Sequence, residues 1–164
     1  MKRANCILVA FMLTASLATA CVTVSPGEKE AKQKAVEEKV LQALKEKHYT
    51  IDVYMMYPQG RGGISVTSDY SVEVKGDTLV SYLPYFGRAY QVPYGGGKGL
   101  NFTEQIEHYS AKRDDKGRTT VTIELTNDED TYTYVLTIFE NGKATVDVRS
   151  EQREPISYSG ELSF

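Results

Sequence analysis

Residues 119–150, TTVTIELTNDEDTYTYVLTIFENGKATVDVRS, contain three runs in which every second side chain is apolar. Successive side chains of a β-strand point to opposite faces, so this period of two predicts three strands, each with one buried face. Residues 127–130 and the pair Asn141 and Gly142 separate the runs, and Asn-Gly is a strong signal for a type I′ hairpin. Such short turns predict antiparallel neighbours. The apolar members are Val121, Ile123 and Leu125, then Tyr132, Tyr134, Leu136 and Ile138, then Ala144, Val146 and Val148.

The same period of two continues on both sides of this stretch. It is present in residues 49–55 and 64–74, and again in residues 156–162. With roughly six to nine strands and no helical crossover between them, we predict a mainly β fold, an antiparallel β-meander that forms a sandwich or a small barrel. Residues 28–47 are rich in Glu, Lys, Ala and Leu and predict one N-terminal α-helix. A single antiparallel β-domain is expected to span residues 48–164.

The composition is that of an ordinary globular protein. The chain has 164 residues, of which 41% are hydrophobic and 25% are charged, and these values exclude a disordered chain and a polytopic membrane protein. The 22 acidic and 19 basic residues give a formal net charge of −3. This balance provides no basic face, so nucleic acid is not expected as a partner.

Residues 1–20 have the features of a secretory signal peptide. A basic start is followed by an uncharged apolar run and then by small residues. Residues 17–21, LATAC, resemble the bacterial lipobox, in which the cysteine receives diacylglycerol and becomes the mature amino terminus. Residues 18–20 also fit ordinary cleavage, which would release a soluble secreted protein. We predict lipidation of Cys21, with residues 21–27 as a lipidated spacer, because a lone free thiol is hard to justify in an oxidising compartment.

Residues 81–102, SYLPYFGRAYQVPYGGGKGLNF, interrupt the strand pattern. Their prolines and glycines predict a long loop or two short edge strands. Aromatic rings in such a segment can stack on a sugar or an apolar ligand, while tyrosine hydroxyls and an arginine supply hydrogen bonds. The alternative is that the rings plug the open end of a β-domain. The predicted ligand-binding residues are Tyr82, Tyr85, Phe86, Arg88, Tyr90 and Tyr94.

No catalytic residue, metal site or cofactor is predicted. The two histidines, His48 and His108, are too few for a histidine metal triad, and no serine stands in a G-x-S-x-G motif. The run GGGKG at residues 95–99 has the glycines and lysine of a phosphate loop, but Val92 and Gly99 occupy positions where a Walker motif requires glycine and Ser or Thr. Acidic residues are too common in the chain to indicate a carboxylate pair for glycoside hydrolysis.

Three motifs carry a family resemblance: SYLPYFGRAY at residues 81–90, LNF at residues 100–102 and REPISYSG at residues 153–160. They resemble the domain of unknown function family numbered 4251, found in envelope proteins of Bacteroidetes, and the similarity runs from about Tyr49 to the end of the chain. Members are typically short exported proteins with this order of leader, helix and strands, so the resemblance implies one domain and an envelope location. It implies no catalytic residue. The residues that belong to the family pattern, for folding or for binding, are Leu83, Pro84, Tyr85, Phe86, Gly87, Arg88, Arg153 and Tyr158.

The expected protein is a lipid-anchored component of the cell envelope, exported to the outer membrane and facing either the periplasm or the cell surface. It contacts the membrane through the lipid on Cys21. Its β-domain is expected to bind a small amphipathic or glycan ligand, or an envelope protein partner, without catalysing a reaction. One alternative is an envelope hydrolase, which requires two carboxylates facing each other across a cleft. The other is a purely structural component, which requires buried aromatic side chains and no pocket.

Overall fold

A computed structural model describes residues 26–91 and 97–164 of the chain. Over these residues one helix precedes ten strands, and every strand pairing is antiparallel. The predicted fold class, mainly antiparallel β with one N-terminal helix, is confirmed. The predicted signal peptide, Cys21 and Tyr94 lie outside the described residues. The elements are α1 (Pro26–Glu46), β1 (His48–Pro58), β2 (Ile64–Ser65), β3 (Ser71–Lys75), β4 (Thr78–Leu83), β5 (Leu100–Gln105), β6 (His108–Arg113), β7 (Thr119–Thr126), β8 (Thr131–Ile138), β9 (Lys143–Ser150) and β10 (Ile156–Ser163).

The strands form one continuous sheet in the order β5-β4-β3-β1-β10-β9-β8-β7-β6, with β2 paired to β1 beside this path. Strands β5 and β8 are far apart in that order, yet the ring of Phe102 on β5 lies 4.8 Å, centroid to centroid, from the ring of Tyr132 on β8. The sheet therefore curls until its two halves face each other, and it forms a half-barrel with an apolar concave face. This form is closer to the predicted barrel than to the predicted sandwich, since a sandwich consists of two packed sheets.

The first and last strands of the chain meet in the middle of the sheet, where β1 pairs with β10. Their register brings Pro58 opposite Ile156 at one end of the pair. Gly160 of β10 lies beside a bulge in β1, and a Cβ at this position would collide with the carbonyl oxygen of Asp52 and with Cγ2 of Ile51. The two strands pack this closely because Gly160 has no side chain.

Two tyrosines with no exposed surface anchor the connection between β4 and β5 to the core. Ser81 donates a hydrogen bond to the carbonyl oxygen of Leu100 at 2.7 Å, so the Tyr134 hydroxyl, 2.9 Å from Ser81 Oγ, acts as donor to Ser81. The Tyr158 hydroxyl donates to the carbonyl oxygen of Pro84 at 2.8 Å. Burial raises the pKa of both tyrosines, which keeps each hydroxyl in its neutral donor form. The connection is thereby fixed at both of its ends.

Helix α1 lies at the end of the sheet where β1 begins. Its buried side chains, Val40, Ala43 and Leu44, are spaced three and four apart along one stripe. The helix begins at Pro26, so the last two residues of the predicted spacer are helical, because the fixed φ of proline suits a first turn. It ends before Lys47, whose φ of 49° is a left-handed conformation that terminates helices. No helix in the described part of the chain has the length and apolar character needed to cross a membrane.

Candidate ligand-binding cleft

A cleft of about 580 Å³ opens at the end of the half-barrel where β1 ends and β10 begins. The pairing of Pro58 with Ile156 brings the residues that follow β1 next to the residues that precede β10. The segment that follows β4 forms a third wall. The volume lies within the range of ~300–1,000 Å³ typical of small-molecule sites. The cleft is lined by Pro58, Gln59, Gly60, Arg61, Tyr85, Phe86, Gly87, Arg88 and Glu154.

The third wall, residues 84–91, is held by backbone hydrogen bonds to the residues that precede β10. The N–H of Tyr90 donates to the carbonyl oxygen of Gln152 at 2.7 Å, and the N–H of Glu154 donates to the carbonyl oxygen of Arg88 at 3.0 Å. These two hydrogen bonds have the pattern found between antiparallel strands. The wall is therefore positioned by the sheet and not by its own loop conformation alone.

Tyr85 folds back beneath this wall. Its hydroxyl lies 2.8 Å from the carbonyl oxygen of Arg88 and 3.1 Å from that of Glu154. A Cβ at Gly87 would lie 2.6 Å from the same hydroxyl, so only glycine lets the ring approach the backbone here. Burial raises the pKa of Tyr85, and the neighbouring Glu154 carboxylate adds to the effect. The neutral phenol stabilises the bend that presents the next three residues to the cleft.

Phe86 and Arg61 form one side of the cleft opening. Phe86 leaves 45% of its surface exposed. The Cζ atom of Arg61, from the turn after β1, lies 4.7 Å from the centroid of the Phe86 ring. At this distance the guanidinium is attracted by the face of the ring, and the contact restrains both side chains.

Arg88 and Glu154 also line the cleft. The backbone N–H of Arg88 donates to Oε2 of Glu154 at 3.1 Å, and Nε of Arg88 lies 3.9 Å from Oε1. Oε2 of Glu154 therefore accepts a hydrogen bond from Arg88, and Oε1 forms only a long ion pair with its side chain. The Arg88 side chain itself is 86% exposed, so its remaining N–H groups are available to solvent or to a ligand.

A buried ion pair supports the wall from below. The guanidinium of Arg153 lies 3.1 Å from Oε2 of Glu129, and both side chains are buried. The opposite side of Arg153 contacts Tyr85, with 5.6 Å between Cζ and the ring centroid. The carboxylate of Asp130 accepts the backbone N–H groups of residues 151–152. These contacts fix the backbone against which the third wall is hydrogen-bonded.

Comparison with known proteins places this architecture in a family. The family model described as Domain of unknown function (DUF4251) matches residues 31–162 of the chain. The chain belongs to this family. The resemblance inferred from the three sequence motifs is thereby confirmed.

A solved crystal structure shares this fold. The crystal structure of a DUF4251 family protein from Bacteroides eggerthii is similar to this DUF4251 protein with a TM-score of 0.62 and 17% sequence identity, covering 81% of this chain and 90% of that chain. At this identity the likeness shows a shared fold only. The search of curated proteins found no match.

The structure of this DUF4251 protein brings together half of the predicted ligand-binding residues. Tyr85, Phe86 and Arg88 line the cleft. Sequence reasoning missed Arg61 and Glu154, which line it as well. Glu154 belongs to the REPISYSG motif, which was a usable signal, whereas Arg61 stands in a glycine-rich turn with no aromatic neighbour in sequence.

The other predicted residues lie elsewhere in the DUF4251 domain or outside the described residues. Tyr82 is on β4, 48% exposed, and its ring lies 5.1 Å from that of Tyr70. Tyr90 is 65% exposed and does not line the cleft. Tyr94 falls within residues 92–96, which the structure does not describe.

The hydrolase alternative requires two carboxylates that face each other across the cleft. Among the described residues that line it, Glu154 is the single acidic side chain. Residues 26–91 and 97–164 also contain no group of three or more His, Cys, Asp or Glu side chains arranged to hold a metal ion. The cleft thus combines hydrogen-bond donors, an aromatic ring and an excess of positive charge. Such a lining is suited to holding a ligand by stacking and hydrogen bonds.

Proposed function

We propose that this DUF4251 protein is a lipid-anchored protein of the cell envelope that binds a small amphipathic or glycan ligand in the cleft. The observation that carries the proposal is the exposed ring of Phe86, which contacts Arg61 and shares the cleft with Arg88 on a segment held by backbone hydrogen bonds. Aromatic faces stack on sugar rings and apolar groups, and guanidinium N–H groups donate hydrogen bonds to oxygen atoms.

Rigidity of the walls supports binding in particular. Hydrogen bonds from Tyr85 and from the backbone of Tyr90 and Glu154 hold the wall before any ligand arrives. A ligand then does not bear the cost of ordering a loop, and more of the contact energy appears as affinity. A purely structural role is less well supported, since Phe86 remains half exposed and contributes little to the core.

The hydrolase alternative has less support from the geometry. Hydrolysis by paired carboxylates needs a second acid across the cleft from the first. Oε2 of Glu154 accepts a hydrogen bond from the Arg88 backbone, and the described cleft residues include no second acid. Binding without catalysis is therefore the function that we favour.

The membrane attachment rests on the sequence of the leader and on Cys21. The anchored protein would face the periplasm or the cell surface of the outer membrane. Helix α1 begins five residues after Cys21 and, at about 1.5 Å per residue, is long enough to separate the cleft from a membrane surface. Intact mass measurement of the protein purified from membranes should show the added mass of acyl chains, and Cys21→Ser should move the protein to the soluble fraction. An unmodified wild-type cysteine would contradict the anchor.

Binding is tested by titration calorimetry of the purified mature protein with four probes: maltotriose, trigalacturonate, the methyl ester of trigalacturonate, and lysophosphatidylcholine. We expect Phe86→Ala to weaken binding of whichever probe the wild type binds by roughly tenfold, the effect of removing a central aromatic contact. Tyr82→Ala is the matched control, because Tyr82 is exposed to the same degree but lies outside the cleft. Equal losses in the two variants, or no binding of any probe, would contradict the proposal.

A further inference from the structure

We infer that the ligand of the cleft is an acidic saccharide, a sugar that carries a carboxylate or a sulfate, and that Arg61 is the residue that selects its charge. This inference rests on the proposed binding function and narrows it. The cleft holds two guanidinium groups, those of Arg61 and Arg88, and one carboxylate, that of Glu154. Its local charge is positive, whereas the chain as a whole has a formal net charge of −3.

Among the described residues, Arg61 is the guanidinium of the cleft that has no carboxylate partner. In the described ranges, 26–91 and 97–164, no carboxylate lies within 4.0 Å of its guanidinium, whereas Arg88 is satisfied in part by Glu154. In these ranges the guanidinium of Arg61 lies over the face of Phe86, with 4.7 Å between Cζ and the ring centroid. A guanidinium that stacks on a ring keeps its N–H edges free, and these edges match the two oxygens of a carboxylate or sulfate.

The rest of the lining favours a sugar over a lipid as the carrier of the negative charge. Phe86 is the one exposed aromatic ring among the described lining residues, and it suffices to stack on one sugar ring. Gln59 and the backbone at Gly60 and Gly87 add polar groups for hydroxyls, and no deep apolar wall accompanies them. An alkyl chain would remain largely in water in such a site, so a fatty acid or a phospholipid would gain little from binding.

The test compares trigalacturonate with its methyl ester, which keeps the sugar rings and removes the charge, and adds a sulfated carrageenan tetrasaccharide. We expect the wild type to bind trigalacturonate roughly tenfold or more tightly than the ester, the effect of one charge-assisted hydrogen-bond pair. Arg61→Gln should abolish this preference. Binding of the carrageenan alone, without trigalacturonate, would assign the acid as a sulfate; binding of trigalacturonate alone would assign it as a carboxylate.

Arg149→Gln is the matched control for charge. Arg149 is an exposed arginine on β9 that does not line the cleft, and its replacement changes the net charge by the same amount. We expect Arg149→Gln to keep the preference for the acid, and both variants to keep the wild-type thermal midpoint. Equal loss of the preference in the two variants would overturn the assignment to Arg61.

The remaining outcomes separate this inference from the proposed function. Equal affinity of the wild type for trigalacturonate and its ester would overturn the acidic ligand and leave glycan binding intact. Binding of lysophosphatidylcholine alone, lost in Phe86→Ala, would overturn the saccharide and leave an amphipathic ligand. Absence of binding for every probe would overturn both.

Discussion

The hydroxyl of Tyr158 donates a hydrogen bond of 2.8 Å to the carbonyl oxygen of Pro84, the first residue after β4. Tyr158 is fully buried in β10, so this bond joins the core of the half-barrel to the start of the wall that carries Tyr85, Phe86 and Arg88. The position of the cleft wall thus depends on a residue that makes no contact with the cleft itself.

We expect Tyr158→Phe to lower the free energy of unfolding by about 1 kcal/mol and to weaken probe binding in the cleft. The substitution removes one buried hydrogen bond and leaves the carbonyl oxygen of Pro84 without this donor. Urea denaturation measures the first effect and titration calorimetry the second. Tyr82→Phe removes the hydroxyl of an exposed tyrosine and should change neither quantity measurably. Unchanged binding in Tyr158→Phe would show that the wall keeps its position without this bond.

Buried tyrosines should make the protein sensitive to alkali. Burial raises the pKa of Tyr49, Tyr134 and Tyr158, and the nearby Tyr109 adds to the effect at Tyr49. The folded state then keeps protons that the unfolded state releases above about pH 10. The stabilisation is complete below that pH and is lost as the pH rises towards the higher folded-state values, by about 1.4 kcal/mol per pH unit for each such tyrosine.

Urea denaturation at a series of pH values, with tyrosinate absorbance recorded in parallel, measures this slope. Tyr134→Phe should make the slope shallower by the contribution of one proton. A free energy of unfolding that stays constant from neutral pH to well above pH 10 would contradict the burial of these phenols in the folded state.

We expect Arg153→Met to destabilise the fold by about 3–5 kcal/mol, because it leaves the buried carboxylates of Glu129 and Asp130 without this counter-charge. Denaturant unfolding measures the loss. Arg118→Met is the control, since Arg118 forms its ion pair with Asp114 on the exposed surface, and it should leave the unfolding midpoint nearly unchanged. The double variant with Glu129→Met should recover part of the loss, and a double variant less stable than Arg153→Met would show that Glu129 is held by other contacts.

Gly160→Ala should destabilise the fold by about 1–3 kcal/mol, the usual cost of an overpacked site. The added Cβ would meet the carbonyl oxygen of Asp52 and the side chain of Ile51, so β1 and β10 would have to move apart. Gly62→Ala is the control, because nothing lies within 4 Å of a Cβ at that position. A thermal midpoint for Gly160→Ala equal to that of Gly62→Ala would show that the β1 bulge absorbs the extra methyl group.

The sequence predicts the strands and some of the residues that line the cleft. It does not predict the lining residues whose positions depend on pairing between strands that are distant in sequence. The alternation around Val121 and Ile123 is local, so it predicts a strand without knowledge of the rest of the chain. Phe86 and Arg88 were predicted as site residues because aromatic and glycine-rich composition is also local. Arg61 and Glu154 line the same cleft because Pro58 pairs with Ile156, and no local pattern encodes that register.

Two tyrosines that are close in sequence, Tyr82 and Tyr85, lie in different environments because a strand ends between them. Tyr82 precedes Tyr85 by three residues, but Tyr82 is still within β4 and points to its exposed face. Tyr85 follows the strand and bends beneath the wall. The end of the strand at Leu83 decides which aromatic side chains reach the cleft, and strand ends are difficult to locate from sequence.

The pairing of β1 with β10 means that the centre of the sheet depends on two strands that are far apart in sequence. Strands β1 to β5 and strands β6 to β10 each pair mainly with near neighbours in sequence, and in the described part of the chain β1 and β10 form the one hydrogen-bonded seam between the two groups. Until β10 is present, β1 and β9 each expose a bare strand edge, the kind of surface that invites aggregation. A variant that lacks Ile156–Ser163 would therefore lose the centre of its sheet and present two bare edges for association with other chains.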